Sequence, residues 1–394
     1  AKYEKKDFLN IFSEKDPTYF KKINSEIKKQ VKEFVEIALK KEEQNLSEYL
    51  LDESPVEKDI NFKIFAGDNE RFIKKINIAF HQILSDKKCI VIGEDILDPY
   101  GGAFKVTKGL SDKFSDQVIG TSISEGLIGG VANGLALNGY KPFAEFMFGD
   151  FTALAFDQML NHSSKVFNMY NKIKNCPVVF RTPMGGRRGY GPTHSQTLEK
   201  HFLGMDTFEI CATNRYLDPS IVLSYAYKRI HPTLIIENKV DYGKNSMLKL
   251  PDGYLAEISD EELPAVLIRP INSIPKLTLI TYGGLSDMVV ESIEDYFKEH
   301  DTITQVLIIS KIDPIPKEII KLVVDKTDNI IFVEEGISGG TVGDYFISWI
   351  AQNMPDKNVR VASSKRYSIP SVKSLEQKVL VNNENIKKLI NDLK

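Results

Sequence analysis

Residues 121–158 read TSISEGLIGGVANGLALNGYKPFAEFMFGDFTALAFDQ, and this stretch decides the fold. Glu125 opens an apolar run of helical length that is studded with glycines. Because glycine lacks a Cβ, such a helix can pack very close to a neighbouring backbone. A strand-like segment, PFAEFMF, and a second helix beginning near Thr152 are predicted to follow. A buried acid at the start of a helix costs free energy unless it has a partner or a role, so Glu125 is the first candidate for chemistry.

Outward from this stretch, apolar strands alternate with helices from Ile60 onward. This alternation predicts an α/β fold with a mostly parallel sheet that has helices on both faces. In such sheets, ligands collect beyond the carboxyl ends of the strands. Glu94, Asp95, Phe151 and His194 all come directly after predicted strands. We therefore expect these side chains to share one edge of the sheet.

Three domains are predicted. Residues 1–60 form a helical N-terminal extension, in which YFKKINSEIKKQVKEFVEIALKK has apolar residues at helical spacing and QNLSEYLLDESPVEKD is a linker. Residues 61–250 form the domain that contains Glu125. Residues 251–394 form a smaller C-terminal α/β domain, in which a second alternation begins with LTLITYGG.

Composition excludes several classes of function. The chain has 394 residues and a formal net charge of -3, which argues against a nucleic-acid partner because such domains carry a basic excess. No apolar run approaches the roughly 20 residues that span a bilayer. No signal-peptide pattern opens the sequence, so we expect a cytoplasmic protein. The three cysteines lie in apolar contexts without zinc-binding spacing and are expected to be buried thiols.

The loop RTPMGGRRGYGPTHSQ combines glycines, two adjacent arginines and a His–Ser–Gln tip, which is typical of a loop that approaches a ligand. Alone, His194 would be an ordinary loop histidine, and Glu125 would be an acid favoured by the helix dipole. Ser195 lacks the GxSxG context of a hydrolase nucleophile. The sequence also lacks a Walker phosphate loop, a GxGxxG motif between strand and helix, and an HExxH zinc motif.

Taken together, several motifs resemble one family. VIGEDILDPYGGAFKVTKGL, the TSISE–GLIGG helix start, EFMFGDFTALAFDQ, RTPMGGRRGYGPTHSQ and HPTLIIENK are similar, in order and spacing, to the beta subunit of thiamine-diphosphate-dependent 2-oxo acid dehydrogenases. That family lies within the transketolase superfamily. The resemblance covers about residues 61–394 and implies a transketolase-like pyrimidine-binding domain followed by the superfamily's C-terminal domain. It implies decarboxylation of a 2-oxo acid and transfer of the acyl group to a lipoyl domain.

The resemblance also implies roles for individual residues. Glu125 matches the family's glutamate, which hydrogen-bonds N1′ of the cofactor's aminopyrimidine ring. Ile123 matches a position that packs near that ring, and Phe151 matches the aromatic residue that stacks on it. His194 matches the active-site histidine that assists at the substrate and the lipoyl group. Glu94 matches an acid near the cofactor.

One motif of the superfamily is missing. Its pyrophosphate and Mg²⁺ site is a GDG followed about thirty residues later by an asparagine pair, and this sequence contains none. By similarity, the Mg²⁺ ligands belong to an alpha subunit or alpha domain that carries the GDG motif, so we expect this chain to contribute no metal ligand. The family assembles as a heterotetramer with beta–beta contacts and binds a lipoyl-bearing acyltransferase. Some relatives also hold K⁺, and the sequence leaves that site open.

Three alternatives stay open. The helical extension resembles the last helices of an alpha subunit, so the chain is either part of a fused alpha–beta enzyme or a beta subunit with a leader. DPYGG and RRGYGPT differ from the common family versions, which leaves the substrate undecided and a carboligase or transketolase-like enzyme as a rival. A non-catalytic assembly subunit would keep the same fold.

Overall fold

The computed structural model describes residues 7–41, 60–170, 174–246 and 249–393. The chain divides into two compact units, residues 1–56 and residues 57–394. The predicted linker at residues 44–59 lies outside the described ranges. In the part of the chain that the structure describes, no helix has the length and apolarity needed to cross a membrane.

In its described residues, 7–41, the N-terminal unit contains two helices, Phe8–Lys15 and Pro17–Leu39. The Asp7 carboxylate accepts two backbone N–H bonds in the first turn of the first helix, and Asp16 caps the second helix, which has proline at its first position. Both caps satisfy N–H groups that a helix start leaves without partners. None of the described residues in either helix is buried. The predicted helical character of this segment is confirmed over these two ranges.

The described residues of the second unit form fourteen strands in two sheets. In chain order they are β1 (Phe62–Ile64), β2 (Cys89–Glu94), β3 (Val118–Thr121), β4 (Lys141–Glu145), β5 (Val179–Met184), β6 (Glu209–Ala212), β7 (Thr233–Asn238), β8 (Tyr254–Ser259), β9 (Val266–Pro270), β10 (Leu277–Thr281), β11 (Thr304–Ile308), β12 (Lys311–Asp313), β13 (Asn329–Ile337) and β14 (Asn358–Ser364).

The α-helices of this unit connect the strands or cover the sheets. Their bounds are Phe72–Ile83, Leu110–Lys113, Glu125–Leu137, Val166–Met169, Pro219–Lys228, Ser286–Glu291, Ile293–His300, Lys317–Val324, Val342–Asn353, Lys373–Val379 and Asn383–Asp392.

The first sheet has the strand order β12–β6–β7–β5–β4–β2–β3, and all neighbours except β12 and β6 are parallel. The chain runs from β2 to its neighbour β3 and then crosses to β4 on the other side of β2. The strand order therefore reverses between β2 and β4, which is where open α/β sheets bind ligands. The predicted mostly parallel sheet is confirmed.

The second sheet has the order β1–β8–β9–β11–β10–β13–β14. Strands β11, β10, β13 and β14 are parallel, as the second alternation predicts, whereas β1, β8 and β9 form an antiparallel edge. The apolar alternation in the sequence did not indicate β8. Strands also cross between the predicted domains, since β1 joins the second sheet and β12 joins the first.

The first sheet is apolar on both faces. Val91, Phe143 and Val179 belong to one buried cluster, whereas the next residues along the same strands, Ile92, Ala144 and Phe180, belong to the other. This division follows from the alternation of side chains along a strand. Each of these Phe side chains contributes roughly 1.5–3 kcal/mol through burial. The core therefore fixes the positions at which the strands end.

One predicted element is wrong. The sequence predicted one continuous helix beginning near Thr152, but the chain forms a 3₁₀ helix at Gly149–Ala155, a π-helix at Gln158–Ser163 and a short α-helix at Val166–Met169. Local hydrogen bonds favour this irregular path, since the Thr152 hydroxyl donates to the Gly149 carbonyl oxygen at 2.6 Å. The helical apolar spacing is common to all three helix types and could not distinguish them.

Candidate active site

Four of the predicted site residues lie at the carboxyl edge of the first sheet. Glu94 is the last residue of β2, and Glu125 begins the helix that follows β3. Phe151 lies in the 3₁₀ helix after β4, and His194 lies in the loop after β5. Because β2, β3, β4 and β5 are parallel neighbours, their carboxyl ends meet at one edge.

Glu94 and Glu125 form a pair of buried acids at this edge, with 5% and 4% of their surface exposed. Burial raises the pKa of Glu94, and the nearby charges of Glu125, Asp95 and Glu145 raise it further. Oε2 of Glu94 has no hydrogen-bond partner among the described residues. The Glu125 carboxylate likewise makes no hydrogen bond within the described ranges. The pair therefore retains hydrogen-bonding capacity for a ligand.

The glycines of the Glu125 helix bring it against the segment that carries Phe151. A Cβ atom built on Gly129 would lie 3.0 Å from Cβ of Gln158, so a larger residue there would push the segment away. A Cβ on Gly126 would lie 3.4 Å from the carbonyl oxygen of Leu154. The close approach that the sequence analysis inferred from these glycines is confirmed.

His194 sits in an aromatic cluster. Its ring centroid lies 5.2 Å from that of Phe151 and 4.9 Å from that of Phe148, both in edge-to-face geometry. The Thr193 hydroxyl lies 3.0 Å from Nδ1 of His194. The structure thus brings Phe151 and His194 into contact, and it adds Phe148, which the sequence analysis did not single out.

Lys239 anchors the loop that carries His194. The residue is fully buried, and its ammonium group donates to the backbone oxygen of His194 at 2.7 Å. Burial lowers the pKa of Lys239 to about 8. The ammonium group also lies 5.2 Å from the centroid of the Phe148 ring, a cation–π arrangement. This lysine therefore anchors His194, and its pKa lies much closer to neutral pH than that of an exposed lysine.

The loop tip is tied to the Phe151 segment by Gln196, whose amide donates to Oδ1 of Asp150 at 2.8 Å. Oδ2 of Asp150 is buried and has no hydrogen-bond partner among the described residues. The hydroxyl of Ser195 is also buried without a hydrogen-bond partner in the described part of the chain. No described base activates Ser195, which agrees with rejecting it as a nucleophile.

Two carboxylates from the second sheet's domain anchor the glycine-rich loop. Glu335, on β13, accepts from Gly186 N–H at 2.5 Å and from Nε of Arg187 at 2.8 Å. Glu376, on the helix Lys373–Val379, accepts from the backbone N–H groups of Arg187 at 2.8 Å and Gly189 at 3.1 Å. We call Glu335 and Glu376 the loop anchors.

These contacts hold an unusual backbone. Arg187 has φ = 69°, which a non-glycine residue rarely adopts, between Gly185 at 89° and Gly189 at 70°. A third bond from Arg187, between Nη2 and the Val381 carbonyl oxygen at 2.7 Å, adds to the anchoring. Strained conformations persist where surrounding contacts enforce them, and such conformations concentrate at functional sites.

A buried ion network supports the sheet directly beneath the edge. Arg181, on β5, is fully buried and makes a bidentate pair with Glu237, with both N–O distances at 2.7 Å. Arg181 also pairs with Glu145 on β4, and the Tyr242 hydroxyl donates to Glu237 at 2.6 Å. A buried guanidinium requires this compensation. The network fixes the relative positions of the strand ends.

Ile123 differs from the other predicted site residues because its side chain is 79% exposed. It precedes Glu125 and lies outside the buried acid pair.

Among the described residues, no group of three or more His, Cys, Asp or Glu side chains is arranged to hold a metal ion. All three cysteines are buried and free, as the sequence analysis predicts.

Comparison with known proteins gives the same assignment for both parts of this unit. Residues 73–244 match the family model for the transketolase pyrimidine binding domain, and residues 269–386 match the model for the transketolase C-terminal domain. In sequence, the chloroplastic pyruvate dehydrogenase E1 component subunit beta-2 of Arabidopsis thaliana is 30% identical over 302 residues, which cover 75% of this chain and 71% of that protein.

Other relatives carry the same name. The mitochondrial pyruvate dehydrogenase E1 component subunit beta of Saccharomyces cerevisiae is 28% identical over 274 residues, covering 68% of this chain and 72% of that protein. The corresponding subunit of Rickettsia conorii is 28% identical over 300 residues, covering 75% of this chain and 89% of that protein.

A solved structure described as a split gene transketolase, inactive beta4 tetramer, matches the fold. Its TM-score is 0.62 at 14% sequence identity, and the match covers 82% of this chain and 98% of that one. At this identity the likeness shows the transketolase-like two-domain fold alone. The sequence matches therefore place the chain in the family that contains the beta subunits of pyruvate dehydrogenase E1 components, within the transketolase-like proteins.

Proposed function

We propose that this chain supplies the pyrimidine-binding half of a thiamine diphosphate-dependent 2-oxo acid dehydrogenase E1 enzyme, which decarboxylates a 2-oxo acid. Two comparisons support the proposal, namely the pyrimidine-binding family model and the relatives named as pyruvate dehydrogenase E1 beta subunits. The observation that carries it is the buried acid pair, Glu94 and Glu125, beside the point where the strand order of the first sheet reverses.

The residues at this edge fit an aminopyrimidine ring. A buried carboxylate without a hydrogen bond is costly, and Glu94 and Glu125 both lack hydrogen bonds within the described ranges. A heterocycle that presents ring and exocyclic nitrogens would satisfy both acids. Phe151 lies beside the same edge and offers an apolar ring against which a flat ligand can stack.

Each side chain then has a definite role. Glu125 would hydrogen-bond a ring nitrogen of the cofactor and hold a proton there, as a buried carboxyl group can. His194 would hold or deliver a proton at the reacting end of the substrate. Ile123 would cover the ring from outside. When bound, the cofactor supplies the electron sink that decarboxylation requires, while the protein supplies orientation and proton transfer.

The pyrophosphate and metal end of the cofactor is assigned to a partner. The sequence contains no GDG motif, and the relatives are named as subunits. We therefore propose that an alpha subunit or alpha domain holds Mg²⁺, and that the active enzyme contains both kinds of chain with beta–beta contacts. The same assembly would present the acyl group to a lipoyl-bearing acyltransferase. A K⁺ site is an optional part of this proposal.

Reconstitution with an E1 alpha subunit, thiamine diphosphate and Mg²⁺ tests the proposal. We expect decarboxylation of pyruvate or a close 2-oxo acid, and reductive acylation when a lipoyl domain is added. Glu125→Gln should lower kcat at least about 100-fold, near 3 kcal/mol, because a positioned proton-transfer contact is lost. Glu318→Gln, an exposed control, should leave kcat unchanged. Full activity in Glu125→Gln would favour a purely structural subunit, and absence of lipoyl acylation would favour a carbon–carbon ligase.

A further inference from the structure

A pocket with a strongly basic lining lies apart from the acid pair. It has a volume of about 460 Å³ and lies between the start of the helix Phe72–Ile83, the connection at residues 104–108 and the loop after β5. A volume of this size suits a small-molecule ligand. Among the described residues, no acidic side chain lines the pocket. Five basic side chains do: Arg71, Lys74, Lys105, Lys108 and Arg188.

Two of these lysines have local partners. Lys74 pairs with Glu70 one turn earlier, with an N–O distance of 2.8 Å, in an exposed contact that is worth little in water. The ammonium group of Lys105 donates to the backbone oxygen of Tyr100 at 2.7 Å and lies 3.8 Å from the centroid of the Tyr100 ring. A carbonyl oxygen satisfies one N–H bond but leaves the positive charge uncompensated.

The positive charges of the other three basic groups have no carboxylate partner among the described residues. Nη1 of Arg188 donates to the Lys239 carbonyl oxygen at 3.1 Å, and its remaining donors point to no carboxylate among the described residues. The side chains of Arg71 and Lys108 make neither a hydrogen bond nor an ion pair within the described ranges. Concentrated positive charge of this kind attracts anions and favours the binding of a ligand that carries two negative charges.

The pocket also has an aromatic wall and a fixed frame. The rings of Phe104 and Tyr242 line it and lie 5.3 Å apart. The Asn77 amide donates to the backbone oxygens of Val106 at 2.7 Å and Lys108 at 3.0 Å, which fixes the helix against the connection. The basic groups therefore surround a preformed surface on which a flat apolar group can lie.

This pocket lies next to the His194 cluster. Phe104 contacts Phe148 with ring centroids 5.7 Å apart, and Phe148 in turn contacts His194. Phe148 thus links the aromatic wall of the pocket to His194. The acid pair Glu94 and Glu125 is not part of the pocket lining.

We propose that this pocket binds a phosphate ester that carries a flat, apolar group. The basic side chains would bind the phosphate dianion, with the guanidinium groups of Arg71 and Arg188 suited to two parallel hydrogen bonds. Phe104 and Tyr242 would bind the apolar group. All of the lining residues belong to this chain, so binding can be measured without a partner subunit and without turnover.

Calorimetric titration of the full chain with phenyl phosphate, inorganic phosphate and benzoate tests the proposal. We expect saturable binding of phenyl phosphate, with Kd about tenfold lower than for inorganic phosphate because the ring adds apolar contact. Benzoate, which has the ring but only one negative charge, should also bind about tenfold more weakly. Absence of saturable phenyl phosphate binding, or equal affinity for all three probes, overturns the proposal.

Two double variants distinguish specific binding in the pocket from general attraction to a positively charged surface. Arg71→Gln with Lys108→Gln should raise Kd for phenyl phosphate about tenfold or more. Lys317→Gln with Lys321→Gln removes the same charge from two exposed positions outside the pocket lining and should change Kd less than about twofold at 0.15 M salt. Phe104→Leu should abolish the preference for phenyl phosphate over inorganic phosphate. Equal weakening by both double variants contradicts the proposal.

Discussion

Asp241 is a buried acid outside the candidate active site. It is 1% exposed, and neither carboxylate oxygen has a hydrogen-bond partner among the described residues. Its closest cation is Lys244, with an N–O distance of 3.8 Å. Burial raises the pKa of Asp241 to about 7, and the charge of Asp287 adds to this effect. The folded protein therefore holds a proton on Asp241 that the unfolded chain loses at much lower pH.

This difference predicts a pH dependence of stability. The unfolded chain releases the proton near the ordinary pKa of 3.8, and the folded chain releases it at about 7. Between those values unfolding releases a proton, so the free energy of unfolding falls as pH rises. The shift corresponds to a loss of about 4 kcal/mol by pH 8. Asp241→Asn should remove this loss, making the variant more stable than the wild type at pH 8 and similar to it at pH 4.

Urea unfolding at pH 4, 6 and 8 measures this effect. Asp325→Asn, which neutralises an exposed carboxylate, is the matched control and should keep the wild-type pH dependence. An unchanged slope in Asp241→Asn would show that Asp241 is already ionised in the folded protein.

At the scale of single residues, the sequence predicted the site residues that stand out against their immediate neighbours in the chain. Glu125 stood out because an acid opened an apolar helix, and His194 because it ended a glycine-rich loop. The loop anchors could not be found in this way. Glu335 lies 149 residues from Gly186, and Glu376 lies 189 residues from Arg187. Nothing in the local pattern of either acid shows which backbone it will meet.

At the scale of elements, the 149–163 segment shows the limit of what apolar spacing can predict. Its apolar spacing predicts a helix but does not specify the hydrogen-bond register. Contacts with other elements supply that information, because the Ser163 hydroxyl donates to Oδ1 of Asn133 on the Glu125 helix at 2.5 Å. Single π-helical turns are rare and occur frequently at functional sites. The irregular segment here carries Phe151 and Asp150.

The loop anchors give a prediction about the element that carries His194. Glu376 is fully buried and accepts two backbone N–H bonds from the loop. Glu376→Gln replaces one acceptor oxygen with an NH₂ group that faces an N–H donor, which costs about 1–3 kcal/mol. We expect faster hydrogen exchange at residues 186–191 and about a tenfold lower kcat in the reconstituted enzyme, because His194 is less well positioned.

Hydrogen-exchange mass spectrometry and steady-state kinetics measure the two effects. Glu384→Gln, an exposed acid on a neighbouring helix, is the control and should change neither. If exchange rises only outside the loop, Glu376 serves general stability and does not position His194.

At the scale of the whole molecule, the sequence predicted the two alternations but not how the strands are shared. The parallel strands are long apolar runs that are buried on both faces, so they were visible as a pattern. β1 and β12 have three residues each and mixed polarity, and their pairing with distant strands depends on the folded chain. Short edge strands of this kind lack a distinctive local signature.

The surface beside Glu125 predicts association. Ile123, Leu127, Val131 and Leu154 are 79%, 49%, 39% and 65% exposed. Leu127 and Val131 are one helical turn apart, and the Leu154 backbone approaches Gly126, so the helix and the 3₁₀ segment present exposed apolar side chains close to one another, which we call the apolar patch. Patches of this kind mark interaction sites in soluble proteins. A charge placed within the patch should therefore block association, since an unpaired charge buried at an interface is costly.

The double variant Leu127→Glu with Leu154→Glu tests this prediction. By sedimentation velocity, we expect the wild-type chain to form oligomers, alone or with an E1 alpha subunit, and the variant to remain monomeric with an unchanged far-ultraviolet circular dichroism spectrum. Ile274→Glu places a charge at another apolar side chain that is 82% exposed and lies outside the patch. This control should assemble like the wild type. If the double variant keeps the wild-type mass, the patch is not the association surface, and the acid pair must be completed from another side of the molecule.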